Sequence, residues 1–539
     1  MAEEMSEQVA LETVNAGLQM LGAGQLGEAE AVADAVLDAR KDDLMGTYLK
    51  AQCRRAAGDT ESALRLARKL ARARPDEPVI VVLLALCVLD TGDGETAIKL
   101  LKKVQDEGRP DADLSYNLAS LLYDKGDRRG AVDAYDRALA VNPDHYYAIR
   151  GLAHTLSELG EDRRAEALAL RVTGQVPDDP VALSVLCRAD VRRGEPAKGV
   201  ERMKLLWTQN PDAVNTAIAL GRLGEAREAV GDFAGAFEAW KMANDRLRTH
   251  FADPYAGDSG AYSLDAAKRV RAFNEGLSPS SPKPHGDGPA PVFLVGFQRA
   301  GTTLMEQILA AHPAITTTGE DASIKPLVDA AGRTEAELAD LMKGDPDRMK
   351  GLRKAYWKSA GGAPKPGEVF IDKLPLNMMW LGVIAKVFPD AKILLALRDP
   401  RDVVLSAFQQ RFGMNSANYA MLTVEGTAGY YDAATGAGTA AMRAFPDLSV
   451  LEVRYEDLVG DVEGQAKRMI GFLGLDWDPS VMDYREKAKK RTITTPSATQ
   501  VTEPVYTKSI GRWKDYRFAL EPVLPTLDYW AKHWGYVSE

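Results

Sequence analysis

Six glycines, Gly24, Gly58, Gly92, Gly126, Gly160 and Gly194, recur every 34 residues without slippage, and no other feature restricts the fold as tightly. An alanine stands five residues after each of the first five: Ala29, Ala63, Ala97, Ala131 and Ala165. Pro143, Pro177 and Pro211 keep the same period. In the clearest unit, YNLASLLYDKGDRRGAVDAYDRALAVNPD (residues 116–144), apolar positions have helical spacing on both sides of Gly126. Each unit therefore reads as a helix, a turn at the glycine and a second helix. The alanine lets the two helices approach, and the proline ends the second one. Such a unit cannot bury its apolar face alone, so the units stack into a solenoid.

This pattern resembles the tetratricopeptide repeat. The resemblance implies an all-α, curved array whose concave side takes a peptide or a partner helix. A protein or peptide partner is therefore expected there; a solenoid that only supports or dimerises the rest is the alternative. From Gly231 the register drifts, and FAGAFEAWKMANDRLRTHF (residues 233–251) reads as a capping helix with further helices to about Leu277. Residues 278–291, SPSSPKPHGDGPAP, are rich in Pro, Gly and Ser and read as a linker. The expected organisation is a capped solenoid over residues 1–277, a linker over 278–290 and a second domain over 291–539.

That second domain opens on PVFLVGFQRAGTTLMEQIL (residues 291–309). Residues 292–295 have the length and composition of a buried parallel strand, Gly296 to Thr303 form a glycine-bounded turn, and a helix follows. Strand, glycine loop and helix N-terminus make a phosphate cradle of backbone N–H groups. The spacing fits G-x-x-x-x-G-K-[ST], except that Thr302 replaces the lysine and the cation lies inside the loop as Arg299. The missing lysine weakens an ATP or GTP reading. Further strand-like runs at 369–371, 393–397 and 450–453 are separated by amphipathic helical stretches at 375–388, 400–412 and 463–473. The alternation implies an α/β domain with a parallel sheet covered on both faces, with ligand groups at the strands' carboxyl ends. Lys373 and Arg398 each follow such a strand, and Ser406 lies about two helical turns beyond Arg398. An arginine at a strand end plus a helix hydroxyl forms a second anion site, separate from the loop. Two anion sites suit a nucleotide phosphorylated at both ends.

GFQRAGTTLMEQIL, HPAITTTGE, FIDKLPLN, LRDPRDVVLS, RYEDL and PSATQVTEPVYTKSIGRWKDY occur in that order. Through them residues 291–536 resemble the sulfotransferases that use 3′-phosphoadenosine 5′-phosphosulfate (PAPS), most closely the group of protein-tyrosine and bacterial repeat-linked sulfotransferases. The resemblance implies a P-loop-like domain that transfers a sulfuryl group from PAPS to a hydroxyl acceptor, such as a tyrosine-like one on a protein or peptide, without a metal. Arg299, Ala300, Gly301, Thr302 and Thr303 would grip the 5′-phosphosulfate, and Arg398 and Ser406 the 3′-phosphate. Tyr455, the 497–506 segment with Ser497 and Gln500, and Arg512 would close on the nucleotide. Glu320 matches the family's catalytic base, Lys373 its leaving-group lysine, and Ser497 a transition-state hydroxyl.

The chain departs from the family at three places. FQRAGTT replaces PRSGTT, so Ala300 brings only a backbone N–H. Gln410 stands where tyrosine sulfotransferases carry an arginine, with Arg411 adjacent, and Thr502 and Glu503 interrupt a usually more basic segment. His312 is a competing base, although before a proline it suits a helix end. Asp372 and Asp399 could form structural ion pairs with Arg398 or Arg401, Trp513 could be core or could stack on adenine, and REKAKKR (residues 485–491) reads as a solvated helix face.

The formal net charge of −10 argues against general nucleic-acid binding. No apolar run reaches membrane-spanning length, and the acidic start MAEEMSEQVALETV lacks the features of a signal peptide. Three cysteines without metal-ligand spacing suit a reducing compartment, so the expected location is cytoplasmic. The competing functions are a P-loop nucleotide kinase or hydrolase and a non-catalytic repeat scaffold.

Overall fold

A computed structural model describes residues 5–106, 111–257, 260–282, 288–320, 323–489 and 509–536. The chain divides into two compact units, Met1–Ala189 and Asp190–Glu539. In the first, helices pair across each glycine: Glu7–Gly22 with Leu26–Ala39, Leu44–Ala56 with Thr60–Ala73, and Pro78–Leu89 with Gly94–Asp106. Ala112–Asp124 then pairs with Arg128–Val141, and Tyr146–Glu158 with Asp162–Gln175. The all-α repeat array expected from the period is thus the observed architecture of this unit.

The reason for the glycines is torsional. Gly24, Gly58, Gly92, Gly126 and Gly160 have φ of 80°, 78°, 88°, 85° and 81°, the left-handed region, yet a Cβ at any of them would meet open space. The residue after the glycine turns its N–H back onto the ending helix: Gln25 to Met20 O, Asp59 to Arg54 O and Asp127 to Leu122 O, each 2.9 Å. The five periodic alanines are buried at the helix crossings. Cys53, Cys87 and Cys187 are buried and unbridged.

The second unit holds a five-stranded parallel sheet: β1 (Val292–Gly296), β2 (Ile315–Thr317), β3 (Val369–Lys373), β4 (Lys392–Leu397) and β5 (Ser449–Arg454), in the order β2-β3-β1-β4-β5. Every residue of β1 is buried, as is β4 beyond its first, which is why both read as unbroken apolar runs. β2 is an edge strand of three residues, too short to leave a period in the sequence. The register sets Leu294 opposite Lys373 and Gly296 opposite Ala396, so the glycine loop, Lys373 and Arg398 emerge at the same end of the sheet. Gly296 is needed for room: a Cβ there would stand 2.6 Å from the Ala396 carbonyl oxygen.

The boundary between units falls at Ala189/Asp190, not in the 278–290 segment. The helix Ala213–Ala229, expected within the solenoid, and the helices Phe233–His250 and Leu264–Glu275, expected to cap it, belong to the sheet-containing unit. The last two bury apolar faces there: Ala236, Trp240, Ala266, Ala267 and Val270 join the sheet's hydrophobic core. Phe237 stacks on Phe408 at 5.3 Å between centroids. The Asn244 and Asn274 side-chain amides donate to Phe408 O and Ala437 O, both at 3.0 Å. Among the described residues no helix is long and apolar enough to cross a membrane.

Candidate active site

The phosphate-type loop leaves β1 at Gly296 and enters the helix Thr302–Leu309 through Gly301, whose φ of 99° is left-handed. A Cβ on Gly301 would come within 2.8 Å of Tyr455 Cδ2. Arg299 also adopts a positive φ, 71°, and is the only non-glycine to do so among the described residues. Strained backbone of this kind gathers at ligand sites, where the surroundings over-determine it. Ala300 spends its N–H on Phe297 O at 3.1 Å, and its buried side chain lies outside the main cavity. The backbone donor expected at this position is therefore engaged in shaping the turn.

The two anion clusters read separately from the sequence are in contact. Arg299 Nε donates to Ser406 Oγ at 3.1 Å, from the helix Pro400–Gln409. Arg398, just past β4, donates to Arg299 O at 3.2 Å and to Ser509 O at 2.5 Å. Its guanidinium sits 4.9 Å from the centroid of Tyr455, whose hydroxyl is 3.2 Å from Ser509 Oγ. Arg398 Nε is buried and has no hydrogen-bond partner among the described residues. A buried cationic donor left open calls for an anion.

Lys373, the last residue of β3, has a fully buried side chain. Its ammonium donates to Glu320 Oε1 at 2.9 Å and approaches Glu306 Oε2 at 3.2 Å. Its neighbour Asp372 turns away, accepting from the Tyr356 hydroxyl at 3.0 Å and the Asn377 amide at 3.2 Å. Burial and this carboxylate together push the Tyr356 hydroxyl far above its ordinary pKa.

The C-terminal GRWK stretch is anchored from below. Asp402 accepts from the backbone N–H of Gly511 at 2.7 Å and of Trp513 at 2.9 Å. Burial raises the Asp402 carboxyl, with Arg398 and these two N–H groups pulling the other way. Arg512 is tied to Glu228 of the helix Ala213–Ala229 and donates to Gln409 Oε1 at 2.6 Å. It lies 5.7 Å from the ring centroids of both Trp240 and Tyr516, whose hydroxyl donates to Glu228 at 3.0 Å. Burial disfavours the Arg512 cation, but the Glu228 hydrogen bond and charge outweigh it and hold its pKa up.

A cavity of about 1060 Å³ joins these groups. Arg299, Gly301, Thr302, Thr303, Glu320, Arg398, Ser406, Tyr455 and Arg512 all line it. Lys373 lies behind Glu320 rather than on the wall. Ser497 and Gln500, with Thr502 and Glu503, lie outside the described residues. Four groups absent from the sequence reading take part: Glu306, Glu228, Gln409 and Asp402. Glu306 alone left a local signal, as the single charged residue in the run TTLMEQIL, one helical turn after Thr302.

The competing assignments separate cleanly. The N–H of Ala314 donates to His312 Nδ1 at 3.1 Å, so Nε2 carries the proton and donates to Asp476 O at 3.0 Å; both ring nitrogens are spent. Asp399 grips Arg401 at 2.9 and 2.7 Å, and Arg401 covers the buried Trp513 ring at 4.1 Å. Arg411 does not make up for Gln410. It is half-buried off the cavity wall, bonded to Asn244, and desolvation lowers its pKa to about 10.

Comparison with known proteins agrees with this architecture. Residues 291–479 match the sulfotransferase family, and residues 16–78, 54–121 and 122–189 match tetratricopeptide repeats. An uncharacterized protein of Aquifex aeolicus is 24% identical over 74% of this chain and 52% of its own length. Protein-tyrosine sulfotransferase 1 of Danio rerio is 25% identical over 41% of this chain and 65% of its own length. The chain thus spans about half of the first relative and less than two thirds of the second. A tetratricopeptide-repeat protein of Thermus thermophilus, 19% identical, aligns with 34% of this chain and 99% of its own at a TM-score of 0.30. The chain carries a domain of the sulfotransferase family behind an array of tetratricopeptide repeats.

Proposed function

We propose that the protein transfers the sulfuryl group of PAPS to a hydroxyl acceptor. The observation that carries this reading is the meeting, around one cavity, of the glycine loop, Arg398, Ser406 and a Glu320 carboxylate bonded to Lys373. Arg398 Nε, which has no hydrogen-bond partner among the described residues, is a donor suited to a 3′-phosphate. The helix N-terminus at Thr302 and Thr303 suits the 5′-phosphosulfate. Arg299, whose backbone belongs to the loop and whose guanidinium touches Ser406, serves both ends.

In the reaction the bond between sulfur and the bridging phosphate oxygen breaks as the acceptor oxygen bonds to sulfur. Like phosphoryl transfer, such a step depends on in-line positioning and on stabilising charge. Charge growing on the bridging oxygen is met by Lys373 and Arg299. The acceptor proton passes to the Glu320 carboxylate. Ser497 and Gln500 are assigned to the closing segment on the family resemblance alone. No metal enters the scheme. A tyrosine-like acceptor on a protein or peptide, recruited through the repeats, accords with the names of the relatives and with the usual work of such arrays. Unbridged buried thiols favour a cytoplasmic setting.

The test is calorimetric titration with 3′-phosphoadenosine 5′-phosphate (PAP), against 5′-AMP and Mg-ATP. PAP should bind with clear preference, and Arg398→Ala should weaken it by about 10- to 100-fold, the worth of a charge-assisted hydrogen bond. Preference for Mg-ATP would instead support a kinase or hydrolase, and no nucleotide binding a scaffold.

A further inference from the structure

The ammonium of Lys373 meets two carboxylates, and they stand in different surroundings. Glu306 belongs to the helix Thr302–Leu309, all of whose residues are buried, and its side chain is 5% exposed. Glu320 is 38% exposed and lines the cavity. Lys373 itself is 0% exposed. Helical side chains lean toward the N-terminus of their helix, so the Glu306 carboxylate is carried back toward the glycine loop. The other polar groups around Lys373 are otherwise engaged: Asp372 faces Tyr356 and Asn377, and Thr318 Oγ1 accepts from the Lys373 backbone N–H.

A buried ammonium without a counter-ion tends to lose its proton. With Glu320 as sole partner, Lys373 would lose its counter-charge whenever Glu320 took up an acceptor proton. That is the moment at which the leaving oxygen needs a cation beside it. We infer that Glu306 is the permanent counter-ion of Lys373: it keeps the ammonium charged and aimed at the loop, and frees Glu320 to act as the base. Glu306 touches neither substrate; it is a positioning residue acting through Lys373. The inference rests on the sulfotransferase reading above. It also explains why a carboxylate occupies a helix otherwise built from apolar, threonine and glutamine side chains.

The experiment uses the full chain and two readouts that need no identified acceptor: PAP affinity by calorimetry, and single-turnover breakdown of PAPS to PAP and sulfate with water as acceptor. Glu306→Gln keeps the shape and removes the charge. It should hold PAP affinity within about twofold while slowing PAPS breakdown by about tenfold or more. Glu306→Asp should recover part of that rate. In a Lys373→Met background, Glu306→Gln should add no further loss, because the residue it acts through is gone. A wild-type rate in Glu306→Gln, or a loss that is fully additive on Lys373→Met, overturns the inference. Should Glu306→Gln fail to fold, Glu306→Asp decides: a rate loss at wild-type PAP affinity that disappears on Lys373→Met supports the inference, and an unchanged rate overturns it. Failure of the wild-type chain to bind PAP overturns the sulfotransferase reading and this inference with it, whereas the other negative outcomes leave that reading standing.

Discussion

Gly301 illustrates how much one residue determines here. Its φ of 99° is open to few side chains, and Tyr455 occupies the space a Cβ would need. Gly301→Ala must therefore shift either the loop or the ring that stacks with Arg398. The expected cost is about 1–3 kcal/mol of stability, read from denaturant midpoints. A weaker response to PAP should accompany it, because Gly301 and Tyr455 both line the cavity. An unchanged midpoint together with unchanged PAP affinity would show that the turn is not part of the site. Residues of this kind were legible in the sequence, because a glycine at a strand-to-helix junction has few other uses. Ala300 was legible only by half. Its place in the loop was plain, but the loss of its N–H to Phe297 depends on how the turn closes.

At the scale of elements, the Ala213–Ala229 and Phe233–His250 hairpin is a repeat-like pair committed to the sheet-containing unit. Gly224 lets Trp240 in so closely that a Cβ there would stand 2.1 Å from the indole nitrogen. Glu228, Gln409 and the rings of Trp240 and Tyr516 then enclose Arg512. Glu228→Ala would leave that arginine three-quarters buried without its counter-charge. The pair is partly solvated, so the loss should fall below that of a fully buried ion pair, at about 2 kcal/mol. Chemical denaturation of the sheet-containing unit measures it, and a shift below about 0.5 kcal/mol would reduce the pair to a surface contact. The drift of register at Gly231 was visible in the sequence, but a broken period does not say which surface the displaced helices will cover.

For the whole molecule, the division at Ala189/Asp190 makes a prediction opposite to the one the Pro- and Gly-rich segment invites. A chain beginning at Asp190 should fold and bind PAP as the full protein does. One beginning at Ser278 loses Trp240, Ala266, Ala267 and Val270 from the core and Glu225 and Glu228 from the cavity wall. It should lose PAP binding and expose apolar surface. Equal PAP affinity in the two fragments would return the boundary to the 278–290 segment.

The sequence by itself determined whatever depends on near neighbours. The 34-residue period fixed where the chain turns left-handed, since torsion is a local property. The apolar runs fixed β1, β3, β4 and β5, and the glycines of the loop fixed where β1 turns into the next helix. Only the tertiary structure decided the pairings across long stretches of chain. Lys373 meets Glu320 from 53 residues away, and Arg512 meets Glu228 from 284. No local pattern records such partners, because they are chosen by the order of strands in the sheet and by which helix faces are left to be covered. β2 stayed hidden for the same reason: three residues pair as a strand only once β3 lies beside them.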